Sequence, residues 1–302
     1  MKYTQTFKKY NIGEINLKKG KFGVQMMMVK NEVAEIGVYE TMKRLGDLGY
    51  RSVEISQIPM TAENVAEFKR ASEDFYIEIA AMSAFVEPVA KGLLGDSLKN
   101  DFNKIVNDCQ TLNCNFLRIG MIPLDLMGDK DKTMEFIQKA EAEAVKLADY
   151  GIELYHHTHH VEFEKYDGKY LLDIMRDNTT KLGFELDVHW IQRAGENPVE
   201  IIKQYAGRVS LLHLKDYRIG RLNLTEEELA DYDKFMAKFV DVIEFAEVGE
   251  GSLDMKAIIE TGLASGAKYF IVEQDDTYGL DPFECLKTSA DNLRKMGYAD
   301  WF

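Results

Sequence analysis

From Phe22 to Val272 the chain alternates short apolar runs with longer stretches in which apolar residues recur at helical spacing. FGVQMMM, residues 22–28, reads as a first strand, and residues 33–48 read as a helix with Gly49 placed to cap its C-terminus. The unit then repeats. A strand at 52–55 precedes a helix opened by Thr61, with Asn64 three residues on; a strand at 77–83 precedes a helix at 98–112; and a fourth strand follows at 116–119. A long helix from about Lys132 to Tyr150 gathers Phe136, Ile137, Ala140, Ala144, Leu147 and Ala148 on one face, and Gly151 stops it. Strands at 152–155, 182–186, 209–214 and 269–272 complete eight strand-helix units.

Apolar strands alternating with amphipathic helices imply a parallel sheet with helices outside it, and eight units in about 250 residues match a closed (β/α)8 barrel. An open doubly wound sheet is the competing arrangement. It would carry a glycine-rich phosphate turn after an early strand, and neither GxGxxG nor GxxxxGK[ST] occurs in the chain. Two connections look enlarged, 85–96 after the third strand and 218–255 after the seventh, the latter with its own helical segment TEEELADYDKFMAKFV. Loops after strands lie on the active face of a barrel, so both are candidate lids. Residues 1–20 are polar, lysine-rich and aperiodic, and read as an N-terminal arm that could serve homo-oligomer contacts. With only 5 prolines and no low-complexity linker, residues 21–302 form a single domain.

Composition narrows the function. A chain of 302 residues that is 46% hydrophobic can bury a large core, while a formal net charge of −14 opposes binding to nucleic acid or to an anionic membrane. A small-molecule substrate is the better expectation. Cys109, Cys114 and Cys285 are too few and too irregular for a disulfide framework. No signal peptide or membrane-length apolar run appears, so a soluble, cytoplasmic protein is expected.

The candidate chemistry sits late in the chain. Four of the 6 histidines, His156, His157, His159 and His160, fall within GIELYHHTHHVEFE, and the other two, His189 and His213, end the next two strands. Charged residues close four consecutive strands: His157, His159 and Glu162 after the fifth, Asp187 and His189 after the sixth, His213, Lys215 and Asp216 after the seventh, and Glu273 to Asp276 after the eighth. A charge at the end of an apolar strand is costly unless it is paired or metal-bound. A converging set of carboxylates and imidazole suits Mn, Mg, Co or Zn rather than a thiolate-selective metal.

GIELYHHTHHVEFEKYDGKYLLDIM, GFELDVHWIQRAGENPVEIIKQYAGRVSLLHLKD, AEVGEGSLD and IVEQDDTYGLDPFECLKTSADNLRKMG resemble the sugar phosphate isomerase/epimerase group of the xylose isomerase-like TIM barrels. The resemblance implies one divalent cation held by a glutamate, an aspartate, a histidine and a glutamate from strands five to eight, matched here by Glu162, Asp187, His213 and Glu273. Some relatives carry the first glutamate within the strand, where this chain has His157, so His157 is the alternative ligand or an acid/base group. The implied reaction is isomerisation or epimerisation of a sugar or sugar phosphate through an enediolate, with Glu162 and Glu273 moving the proton and His157, His159 and Lys215 steering hydroxyl protons or charge. His189, Trp190 and Glu250 are the expected substrate contacts, with Phe85 and Tyr217 also near the mouth. Water elimination from a keto-inositol-like substrate begins with the same enolisation and is the alternative reaction. A catalytically silent sugar- or metal-binding barrel is the other alternative. The related abasic-site endonucleases need additional histidines from early strands, and none precedes His156.

Overall fold

The computed structural model describes residues 19–88 and 95–302, so the expected arm lies outside the described residues except for Lys19 and Gly20, as does part of the loop after the third strand. Eight parallel strands close into a barrel in chain order: β1 Lys21–Gln25, β2 Ser52–Ile55, β3 Glu78–Ser83, β4 Phe116–Ile119, β5 Glu153–His157, β6 Gly183–Asp187, β7 Leu211–Leu214 and β8 Tyr269–Val272. β1 pairs with both β2 and β8, which completes the closure. Helices cover the outside. The (β/α)8 single-domain expectation therefore holds.

The local chemistry follows the sequence signals, with small displacements that have physical causes. Thr61 caps its helix by accepting from the Asn64 amide, and Gly49 and Gly151 adopt positive φ just past their helices. The first strand ends at Gln25 because the Gln25 side chain accepts from the Met27 amide and turns Met26–Val29 into a short 3-10 helix. The long helix begins earlier than its apolar stripe indicates, at Lys130–Ala148, because the Asp129 carboxylate caps it. The segment TEEELADYDKFMAKFV splits into Glu226–Ala230 and Tyr232–Val240, since Asp231 leaves helical geometry and caps the second piece.

Strand periodicity of two places alternate residues inside the barrel. At its N-terminal end Ala81, Phe116, Tyr155 and Leu211 pack together with Tyr269 against them. Gly183 permits this plug: a Cβ there would lie 2.4 Å from the Tyr155 ring. Farther along the barrel the inward positions become polar, with Glu54, Arg118, Glu185 and His213 all buried.

Glu141 ties the long helix to the entry of β6, where its carboxylate accepts from the amides of Thr180, Lys181 and Leu182 and from the Thr180 hydroxyl. Partial burial works to raise its pKa, but these hydrogen bonds outweigh it and hold the group below 4.5. A folded-state pKa below the unfolded one contributes stability above about pH 4.5, lost as pH falls through the folded value. Glu141→Ala is expected to cost about 1–3 kcal/mol in urea unfolding near neutrality, with the gap from wild type narrowing below that pH. A gap independent of pH would refute the ionic role.

Candidate metal centre and active site

Four buried side chains from the ends of β5 to β8, His157, Asp187, His213 and Glu273, each direct one donor atom into a group whose members lie within 4.8 Å of one another. Period-two geometry explains the convergence, because His157, Asp187, His213 and Glu273 sit two residues beyond inward-facing positions of their strands. Each contact can be followed in turn. Asp187 uses Oδ1 to cap the short helix Val188–Arg193, accepting from the His189 and Trp190 amides. Its other oxygen, Oδ2, is buried and without a hydrogen-bond partner, 3.6 Å from His157 Nε2, 3.8 Å from Lys215 Nζ and 3.9 Å from His213 Nδ1. His157 Nδ1 donates to the Gly120 carbonyl at 3.3 Å, which turns the Nε2 lone pair toward the cluster.

His213 Nδ1 lies 2.6 Å from Glu273 Oε2, and its Nε2 hydrogen-bonds to Glu54 Oε2 at 3.2 Å while approaching Glu185 Oε1 at 3.2 Å. Burial alone would lower the His213 pKa, yet the charges of Glu185, Glu54 and Glu273 raise it well above the ordinary histidine value. Burial pushes Glu273 the other way from Lys215 and His213, and these two cations win, holding its carboxylate well below the usual range. Asp187 is raised by burial and by Glu273, against the pull of Lys215.

Lys215 is buried at the centre, with Nζ 2.6 Å from Asp275 Oδ1 and 3.5 Å from Glu273 Oε2. Trp190 and Phe245 close over it, their ring centroids 4.9 and 5.3 Å from Nζ. Around that cation His159 and His189 are held neutral by burial, their pKa values pushed down to about 4 and about 3. His159 Nδ1, His189 Nδ1 and Trp190 Nε1 are buried polar atoms without partners, as is Asp187 Oδ2. Unpartnered polar atoms are rare in protein interiors, and their concentration here marks a place for a polar ligand.

The donor set fits a divalent ion. Two imidazole nitrogens and two carboxylate oxygens converge, one oxygen has no hydrogen-bond partner among the described residues, and the group contains no cysteine; this combination suits zinc, cobalt or manganese.

The placements of the other anticipated residues differ. Glu162 lies outside the four-residue group: His156 Nε2 hydrogen-bonds to its Oε1 at 3.0 Å and the His159 amide to its Oε2 at 2.8 Å, so its carboxylate caps the turn His160–Phe163. Glu250 is exposed and accepts from Asn292. His160 stacks on the Trp190 ring. Asp216 accepts from the amides of Tyr217, Gly249, Gly251 and Leu253, joining the two ends of the enlarged seventh connection. That clamp explains the second glycine of EVGEG, since a Cβ on Gly251 would lie 2.1 Å from the Asp216 carboxylate. Glu54, Arg118, Glu185 and Phe245 were not anticipated from the sequence. A charged residue in the interior of each of the short strands SVEI, FLRI and GFELD was the available signal for the first three.

Comparison with known proteins gives consistent findings. Residues 42–296 match the family described as xylose isomerase-like TIM barrel. The inosose dehydratase of Clostridium botulinum (strain Alaska E43 / Type E3) is 31% identical over 121 residues, a match that covers 37% of this chain and 37% of that protein. The alignment thus spans little more than a third of the relative. Among solved structures, a sugar phosphate isomerase/epimerase from Parabacteroides distasonis ATCC 8503 has a TM-score of 0.67 at 22% identity, covering 92% of this chain and 99% of its own. The IolI protein with a bound zinc atom has a TM-score of 0.61 at 17% identity, covering 93% and 99%. Among the described residues no helix is long and apolar enough to cross a membrane.

Proposed function

The chain belongs to the xylose isomerase-like TIM barrel family, and from that premise we propose that it is a divalent-metal-dependent enzyme that removes the proton beside the carbonyl of a sugar or keto-inositol. Return of that proton at another carbon or face gives isomerisation or epimerisation. Loss of a neighbouring hydroxyl as water gives dehydration, a reading favoured by the likeness to inosose dehydratase. The observation that carries the proposal is the buried juxtaposition of Glu273, Lys215 and the unpartnered Asp187 oxygen.

His157, Asp187, His213 and Glu273 are the residues that would hold the ion, with Glu162 supporting from the adjoining turn rather than ligating. When bound, such an ion polarises a carbonyl and stabilises negative charge on its oxygen. Glu273 is the proton acceptor. In the resting site Lys215 keeps it ionised but weakly basic. As negative charge grows on the substrate oxygen, the Lys215 ammonium turns its hydrogen bonds toward that charge, and Glu273 gains basicity when it is needed. His159, His189 and Trp190 offer neutral acceptors and one indole donor to substrate hydroxyls, while Trp190 and Phe245 exclude water from the ammonium.

Metal analysis of the purified protein is expected to find about one divalent ion per chain, retained in Glu162→Gln and lost in His157→Ala. Incubation of the loaded enzyme with ketoses and keto-inositols in deuterated water should then introduce deuterium beside the carbonyl, with water loss identifying the dehydratase. A protein that binds metal yet exchanges no substrate proton would leave a sugar-binding barrel as the better description.

A further inference from the structure

Below the four-residue group, on the axis of the barrel, lies a buried set of charges that the reaction itself does not use. Glu54 is fully buried at the end of β2, and its two oxygens are divided: Oε1 is 2.6 Å from Arg118 Nε, and Oε2 takes the hydrogen bond from His213 Nε2. Arg118 is itself fixed, donating from Nη2 to Ser56 Oγ at 3.0 Å and standing 3.6 Å from Glu185 Oε2. Glu185 reaches the same imidazole nitrogen from the β6 side.

We propose that Glu54, seated between Arg118 and His213, is a positioning residue that keeps a proton on His213 Nε2 and so leaves Nδ1 as the nitrogen facing His157, Asp187 and Glu273. This rests on the metal-centre reading above. The geometry leaves little freedom. A lone pair on Nε2 would point at two carboxylate oxygens, both 3.2 Å away, and would be repelled by them. A donor hydrogen there is attracted. Because the carboxylates approach from β2 and β6, on different sides of the barrel, they also fix the rotation of the ring. Partners of this kind on a ligating histidine set its tautomer and orientation, and their loss typically weakens metal binding 10- to 100-fold. Arg118 supplies the positive charge that lets Glu54 remain an anion in this interior, so Glu54 and Arg118 form one device.

The test is a Co(II) titration followed by visible absorption, comparing wild type with the triple variant Glu54→Gln/Arg118→Gln/Glu185→Gln. Removing both carboxylates that face Nε2 together with the guanidinium beside them spares the fold an unpaired buried carboxylate, while the amide oxygens of Gln no longer guarantee an acceptor at Nε2. The expected result is a Kd about 10- to 100-fold weaker, with the 15N resonances of His213 in the Zn(II)-loaded protein losing the single Nε2-protonated form seen in wild type. Should that variant not fold, Glu54→Asp/Glu185→Asp retains both charges but withdraws each oxygen by one methylene, and the same loss of affinity and tautomer is expected. An unchanged Kd with an unchanged 15N pattern in a folded variant overturns the positioning role while leaving the metal centre intact. A wild type that takes up no Co(II) overturns the metal centre, and this inference with it.

Discussion

Glu273→Gln is expected to lower turnover by about three to four orders of magnitude while the barrel stays folded. The substitution keeps the size of the side chain and removes its charge. Two consequences follow at once: the proton acceptor is gone, and Lys215 and His213 lose the carboxylate that stands 3.5 and 2.6 Å from them. The measurement is the rate of deuterium incorporation into whichever ketose or keto-inositol the wild type exchanges, with metal content and circular dichroism recorded on the same samples. Saturating metal separates the two consequences, since added ion repairs weak loading but cannot restore a base. A variant within about tenfold of wild type under saturating metal would remove Glu273 from the role of acceptor.

The second large effect concerns stability. Arg118→Leu is expected to cost about 3–5 kcal/mol, a substantial share of the 5–15 kcal/mol typical of a folded domain. The guanidinium is buried with Glu54 and Glu185 beside it, and its removal leaves two carboxylates and one imidazole in a buried interior without their cation. Burial works to raise the Glu54 pKa, but Arg118 and then His213 bring it down to about 2. A folded-state pKa below the unfolded 4.5 means that this ion contributes stability above pH 4.5 and that the contribution is lost as pH falls toward 2. Urea unfolding of wild type and variant should therefore differ most near neutrality and converge in acid. Glu54→Leu/Arg118→Leu/Glu185→Leu, which removes the buried charges instead of stranding them, should recover most of the loss. Equal unfolding midpoints for wild type and Arg118→Leu near neutrality would show that the interior network contributes nothing.

The barrel was legible because its signals are local. Each strand is a short apolar run, each helix an amphipathic stripe, and the stops at Gly49 and Gly151 are where a left-handed residue is required. Asp187, His213 and Glu273 stood out for a related reason, as charges ending apolar strands. The preference for Glu162 over His157 had no such signal behind it. Their positions depend on where β5 stops and the turn His160–Phe163 begins, and both a histidine within the strand and a glutamate in the turn satisfy the same pattern. Glu54 and Arg118 were harder still, because their meaning lies in each other: they are 64 positions apart in the chain and meet only when the barrel closes. Phe245 arrives over Lys215 on the ribbon that pairs with Asp216–Ile219, a contact between the two ends of a long connection that no periodicity announces.

The alternation that fills the upper barrel with charge has a further effect on how the chain finds its register. In β7 and the residue that follows it, the inward Leu211, His213 and Lys215 alternate with Leu212 and Leu214, which join the apolar layer beneath the helices. A slip of one residue would turn the imidazole and ammonium into that layer, away from every carboxylate that balances them, and would point leucines at Glu54 and Glu185. In an all-apolar strand the same slip exchanges one greasy face for another. Here mispairing carries an electrostatic penalty before any substrate is present, so the groups assembled for chemistry also discriminate the native strand alignment from its nearest misfolded neighbour.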